Sequence, residues 1–234
     1  MREKWSGSLP SSRGTAIGIL LALLKILERD RLARIVLLPS DHFVRDEPGL
    51  ARSLRLAASL TETPQSNLVL LGISPEHPNP EFGYIVPGER DGQGTFRVQR
   101  FVEKPDRAIA SGLLDAGALW NSFIFAVRGV ALLQLYRRRH STIVDAMAEA
   151  VTSGEAALGE LYERLPRLDF SRDVLEGGED TLRVLAVPEC GWSDLGTPQG
   201  VAECVRRCDA SLTARQRVRP GVIALTTAHL RLSG

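Results

Sequence analysis

Three observations predict an α/β fold built on a mixed sheet. Two short apolar runs, Ala33–Leu38 and Asn67–Ile73, have the length and continuity of strands buried on both faces, as in a parallel sheet. Amphipathic stretches at Ala16–Arg29 and Pro48–Leu60 alternate with them through short links, the rhythm of a doubly wound sheet. The middle of the chain then changes character: a strand-like segment and an alternating one flank a polar turn, an antiparallel hairpin set into the α/β pattern.

In chain order, Ala16–Arg29 is helical and leads into the first strand, which ends at Pro39-Ser40-Asp41-His42. Pro48–Leu60 carries Leu50, Leu54, Ala57 and Ala58 on one helical face, and Asn67–Ile73 is the second buried strand. Pro75–Pro80 is a proline-rich loop. Phe82–Pro87 and Thr95–Val102 form the hairpin around Gly88–Gly94, and Glu103-Lys104-Pro105 close it. Ser111–Gly117 reads as helix or loop and Leu119–Ala126 as a strand. Val130–Arg139 and Thr142–Val151 read as helices, Leu182–Val187 as a late strand and Gln199–Arg207 as a last helix. The expected organisation is one domain over 1–210 and a basic tail over 211–234.

The 234 residues are 44% hydrophobic and 24% charged, enough to bury a core without disulfide or metal support. A net charge of +1 gives no general attraction to nucleic acid or to an anionic membrane, so a charged substrate must be held by a local site. Of the 29 basic residues only Lys4, Lys25 and Lys104 are lysine. Arginine and lysine differ at a phosphate, which singles out Lys104. Three cysteines, Cys190, Cys204 and Cys208, are too few and odd in number for a disulfide scaffold; the last two share a helix face without the partners of a zinc site. The apolar stretch Ala16–Leu27 is interrupted by Lys25, followed at once by Glu28-Arg29-Asp30 and too short to span a bilayer. The expectation is a soluble cytoplasmic protein with no membrane partner.

Several residues suit chemistry by position. Asp41 follows the carboxyl end of a strand, the edge at which open α/β sheets bind ligands. Asp194 lies in a glycine-flanked turn after another strand. Two converging carboxylates suit Mg²⁺; as single residues both equally suit turns or helix caps. Lys104, in a loop stiffened by Pro105, is either a point charge for a phosphate or a solvated surface lysine. Asn121, in an apolar strand, needs polar partners, and a sugar hydroxyl or the strand end itself supplies them. Gly83 beside Tyr84 permits close approach of a ligand, or marks a bulge.

The motifs that contain these residues fall in a fixed order: RGTA (13–16), PSDH (39–42), FGYI (82–85), FVEKP (101–105), LWNSFIF (119–125), DFSRDVLE (169–176) and GWSDLGTP (191–198). Over about residues 9–207 the chain resembles the sugar-phosphate nucleotidyltransferases, and among them the mannose-1-phosphate guanylyltransferases. The resemblance implies a Rossmann-like, glycosyltransferase-A-like fold. It implies that Asp41 and Asp194 hold Mg²⁺ and that Lys104 meets the sugar phosphate, these three being the catalytic set. Gly83, Tyr84, Glu103, Asn121 and Glu176 match the sugar pocket, and Arg13, Gly14 and Thr15 a segment near the nucleotide base. The implied substrates are GTP and mannose 1-phosphate, giving GDP-mannose and pyrophosphate, with a homodimer as the candidate assembly.

The chain departs from the family pattern in three places. The glycine-rich GxGxRL signature does not occur before Arg13, and the first motif normally follows two βα units, so roughly 60–80 residues are expected ahead of it. Phe123 stands where the family usually has glycine after WNS, and Pro198 where many relatives have tryptophan. Three readings follow: a guanylyltransferase whose recorded start is too late, a non-catalytic fragment or sugar-phosphate-binding remnant, and a related thymidylyl- or uridylyltransferase. Without the missing segment, turnover is expected to be impaired and open strand edges are expected to favour aggregation.

Overall fold

The computed structural model describes residues 12–62, 68–198 and 200–207. These form two compact units, the first from residues of 1–40 and 44–191, the second from residues of 41–43 and 192–234.

In the first unit, helix α1 (Thr15–Arg29) buries Ala16, Ile17, Leu20, Leu21 and Leu23, the three-and-four spacing of a single apolar face. Strand β1 (Arg34–Leu37) follows. Helix α2 (Glu47–Ser59) starts where Asp46 Oδ1 accepts from Gly49 N at 3.0 Å, with Pro48 in its first turn. Strand β3 (Leu68–Ile73) buries five consecutive residues. The hairpin is β4 (Tyr84–Arg90) and β5 (Phe96–Val102). Helix α3 (Arg107–Asp115) is capped by Asp106, whose carboxylate accepts from Ile109 N at 2.8 Å. Strand β6 (Leu119–Arg128) runs into α4 (Gly129–Ser153), which bends at His140, where φ is −132° and ψ is 38°. Helix α5 (Glu155–Arg164) precedes a π turn at Ser171–Leu175, and β7 (Leu182–Ala186) closes the unit.

Among the described residues the main sheet has six strands in the order β1-β6-β3-β7-β5-β4, with β4 also pairing β6. β3 and β7 are parallel, and β6 is antiparallel to β1, β3 and β4. The sheet is therefore mixed, as the sequence predicts. The hairpin joins it as ordinary strands, with β5 antiparallel to β7. The core gathers α1, α4 and α5 against one sheet face around Phe125, Tyr136 and Phe170. The Tyr136 hydroxyl donates to Ala16 O at 2.7 Å and ties α4 to the start of α1.

Two expectations are corrected. Ala33–Leu38 is not a doubly buried parallel strand: β1 is the edge of the described sheet, antiparallel to β6, and its residues alternate between exposed and half-buried. A run of apolar residues looks the same in a buried strand and in an edge strand, because neighbours rather than sequence supply the burial. The segment read as helix or loop over Ser111–Gly117 belongs to a helix that begins at Arg107, on the cap that Asp106 provides, and ends at Asp115. Val130–Arg139 and Thr142–Val151 are two helical segments, as expected, which meet at the non-helical His140 within α4. The polar period of α5 gave no expectation of a helix. The tail from 211 onward and Cys208 lie outside the described residues; Cys190 and Cys204 are buried.

The second unit holds β2 (His42–Phe43) and β8 (Ser193–Asp194), a two-stranded antiparallel ribbon. Residues 200–207 of this unit are helical. Among the described residues no helix is long and apolar enough to cross a membrane.

Candidate functional site

Asp41 and Asp194, 153 positions apart in sequence, meet in the second unit. The ribbon sets His42 opposite Asp194, and Leu195 N donates to Asp41 O at 2.8 Å. Both side chains turn toward Gly196. A β-carbon on that glycine would lie 3.0 Å from Asp194 Oδ1 and 3.1 Å from Asp41 Oδ2, so the two carboxylates converge on one point. Gly196 N donates to Asp194 Oδ1 at 2.7 Å and orients that carboxylate. Two oxygen-donor carboxylates facing a common point fit a hard cation such as Mg²⁺, which takes one or two carboxylates and completes its shell with phosphate and water.

His42 stands beside the pair. The Trp192 indole N–H donates to His42 Nδ1 at 3.1 Å, and the rings meet edge to face at 5.1 Å. Indole nitrogen only donates, so Nδ1 accepts and the ring proton sits on Nε2. Burial lowers the pKa of His42, outweighing the opposite pull of Asp194 and Asp41. A neutral ring does not compete with a cation for the carboxylates. Arg207 reinforces the strand, donating to Trp192 O at 3.3 Å and to Ser193 Oγ.

The first unit gathers a second set of polar groups. Gly83 is buried, and a β-carbon there would lie 2.5 Å from Glu103 Oε2 and 3.3 Å from Asn121 Cβ. Asn121 N donates to Gly83 O at 2.8 Å. The Asn121 side chain donates through Nδ2 to Ser171 Oγ at 3.3 Å and accepts at Oδ1 from Phe123 N at 3.1 Å. Glu103 Oε2 is buried without a hydrogen-bond partner among the described residues, an arrangement that costs free energy unless a ligand satisfies it. Burial first, then the negative charge of Asp169, push the Glu103 carboxyl up to about 7, against the pull of Lys104, Arg172 and the Ser171 hydroxyl. Glu176 is half-buried, at the end of the π turn that Ser171 opens.

Two residues here adopt the left-handed backbone region: Lys104 at φ 46° and Phe123 at φ 57°. Side chains other than glycine are disfavoured there, and such strain concentrates at functional sites. The φ of Phe123 is one that glycine adopts without strain, the residue that the resemblance leads us to expect there. Phe123 packs edge to face on Phe170 at 5.8 Å.

The remaining predicted residues are engaged by the protein itself. Arg13 donates to Glu163 O at 2.9 Å, Gly14 at φ 85° begins α1, and Thr15 Oγ1 accepts from Phe170 N at 2.9 Å. All three hold the chain entry against residues 163–170. Tyr84 is fully buried, and its hydroxyl accepts from Asn79 N at 2.8 Å and donates to Asn79 O at 3.2 Å, closing the preceding loop. Sequence reasoning assigned no role to Ser171, Gly196, Trp192 or His42. Their presence inside the quoted motifs was the available signal; Ser171 meets Asn121 across 50 positions and Trp192 meets His42 across 150.

The nucleotidyl transferase family profile matches residues 7–209. The chain belongs to that family. It is 34% identical over 195 residues to the xanthan biosynthesis protein XanB of Xanthomonas campestris pv. campestris, covering 80% of this chain and 40% of the relative. It is 31% identical over 210 residues to a mannose-1-phosphate guanylyltransferase of Salmonella montevideo, covering 83% of this chain and 43% of that one. Among solved structures, the nucleotidyl transferase fold is matched by one described as a mannose-1-phosphate geranyltransferase from Thermus thermophilus, with a TM-score of 0.75, 29% identity and coverage of 84% of this chain and 56% of that one. The chain thus spans about 40% of the length of curated relatives such as XanB.

Proposed function

We propose that the protein transfers a guanylyl group from GTP to mannose 1-phosphate, forming GDP-mannose and pyrophosphate. The observation that carries the reading is the convergence of Asp41 and Asp194 on Gly196, in a chain of the nucleotidyl transferase family. The mannose-1-phosphate guanylyltransferases among its relatives support the choice of substrate.

The reaction asks little covalent work of the protein. A phosphate oxygen of mannose 1-phosphate attacks the α-phosphorus of GTP, the bond from that phosphorus to the bridging oxygen breaks, and pyrophosphate leaves in line. Asp41 and Asp194 hold Mg²⁺, which when bound offsets negative charge on the reacting phosphates. Lys104 supplies a further positive charge to the sugar phosphate. Glu103 and Asn121 orient the sugar through its hydroxyls, with Gly83 leaving room, and so align the attacking oxygen. Glu176 belongs to the same pocket, and Arg13–Thr15 bound the base side.

The test gives the chain mannose 1-phosphate, Mg²⁺ and, in parallel, GTP, UTP or dTTP, and follows both the nucleotide sugar and pyrophosphate. The expected result is GDP-mannose, lost in Asp41→Asn and Asp194→Asn. Product with UTP or dTTP alone assigns a related uridylyl or thymidylyl transfer instead. Mannose 1-phosphate binding measured by calorimetry, without product from any nucleotide, assigns a sugar-phosphate-binding protein.

A further inference from the structure

Ser171 is 2% exposed and opens the π turn Ser171–Leu175. Its main-chain carbonyl accepts from Glu176 N at 2.9 Å, the bond that defines the turn. Its hydroxyl accepts from Asn121 Nδ2 at 3.3 Å and donates toward the Glu103 carboxyl. The polarity of this relay is determined. Asn121 Oδ1 is taken by Phe123 N, so the amide presents its N–H₂ to the serine. A hydroxyl has one proton and two lone pairs, and the proton is left for the carboxylate. A π turn is an insertion in helical backbone found frequently at functional sites, and here it links its own end at Glu176 to Asn121 on β6 and to the Glu103 loop.

We infer that Ser171 is a positioning residue for the sugar pocket, setting Glu103, Asn121 and Glu176 relative to one another through its hydroxyl and carbonyl. The inference rests on the sugar-phosphate reading above. Glu103 comes from the loop after β5, Asn121 from β6, and Glu176 from the end of the π turn. Strands alone fix the first two only to within side-chain rotation. The shared hydroxyl limits that freedom and leaves Glu103 Oε2, which has no hydrogen-bond partner among the described residues, to face a ligand. The charged groups around Glu103 are Asp169, Lys104 and Arg172, and none of them is altered by a change at Ser171.

The experiment uses the full chain with glutamate carboxyls labelled with carbon-13, the Glu103 signal being assigned by its loss in Glu103→Gln. In the unliganded wild type its titration midpoint is expected at about 7. Ser171→Ala removes a hydrogen bond to the charged form, so the midpoint should rise by about half a unit or more. Mannose 1-phosphate binding at pH 8, measured by calorimetry, should weaken about tenfold, the size of one net hydrogen bond. Ser171→Thr keeps the hydroxyl and should restore both. If the alanine variant fails to fold, Ser171→Cys replaces the hydroxyl by a weak donor and should move both quantities in the same directions. An unmoved midpoint in a folded alanine or cysteine variant overturns the inference. A midpoint that rises in a protein to which mannose 1-phosphate does not bind supports the positioning of Glu103 and overturns the substrate reading.

Discussion

A carboxyl raised from about 4.5 to about 7 by folding makes stability depend on pH in a definite direction. Between those values the folded chain binds the proton more tightly than the unfolded one, so stability is full below the unfolded value and is lost as pH rises through the folded one. Glu103→Gln removes that dependence. The variant should match the wild type in thermal unfolding at pH 4.5 and exceed it at pH 8, while losing affinity for mannose 1-phosphate. Lys104 offers a second test in which stability and binding move apart. Its φ of 46° remains unfavourable for alanine and suits glycine. Lys104→Gly should therefore be more stable than Lys104→Ala by about 1 kcal/mol, as read by urea titration. Both should weaken sugar-phosphate binding equally, because both remove the charge.

At the scale of elements, the ribbon of β2 and β8 is only two residues long on each side, and it sets the spacing of the two aspartates. Its register places His42 against Asp194, and Gly196 leaves the space in front of both carboxylates. Gly196→Ala fills that space. Mn²⁺ binding, followed by electron spin resonance, should weaken about tenfold or more, equivalent to about 1.4 kcal/mol, with far-ultraviolet dichroism unchanged. Unaltered Mn²⁺ affinity would remove the aspartate pair as a metal site. The hairpin β4–β5 illustrates the opposite case. Its alternating pattern was readable in sequence, but its membership of the main sheet depends on pairings with β6 and β7, which no local pattern encodes.

At the scale of the molecule, the described sheet ends on β1, an edge strand that exposes 40% of Val36 and, just after it, 50% of Leu38. On its other face Ile35 and Leu37 join Ile19, Ala22, Ile26 and Leu132 around an apolar groove of about 170 Å³. An apolar strand with unpaired main-chain groups is a template for pairing with other chains, and a charge on it opposes that pairing. Val36→Lys should reduce concentration-dependent light scattering while changing the unfolding free energy by less than about 0.5 kcal/mol. Scattering that does not respond would place the self-association surface elsewhere.

Hydrophobic period and turn chemistry, which are local, determined α1, α2, β3, the hairpin and β6 from the sequence by itself, and the ordered motifs determined the family. The candidate residues Asp41, Asp194, Lys104 and Asn121 were legible because each lies at a strand end, in a turn after a strand or within an apolar pattern, and Glu103 only through the resemblance to the family. Tertiary structure alone decided that β1 lies at an edge, since burial depends on what packs beside a strand. It alone set two distant carboxylates against one glycine, and it alone engaged the hydroxyl of Ser171 with Asn121, 50 positions away. Those relations are made by chain segments meeting across the fold, and a sequence pattern carries the residues without the distances between them.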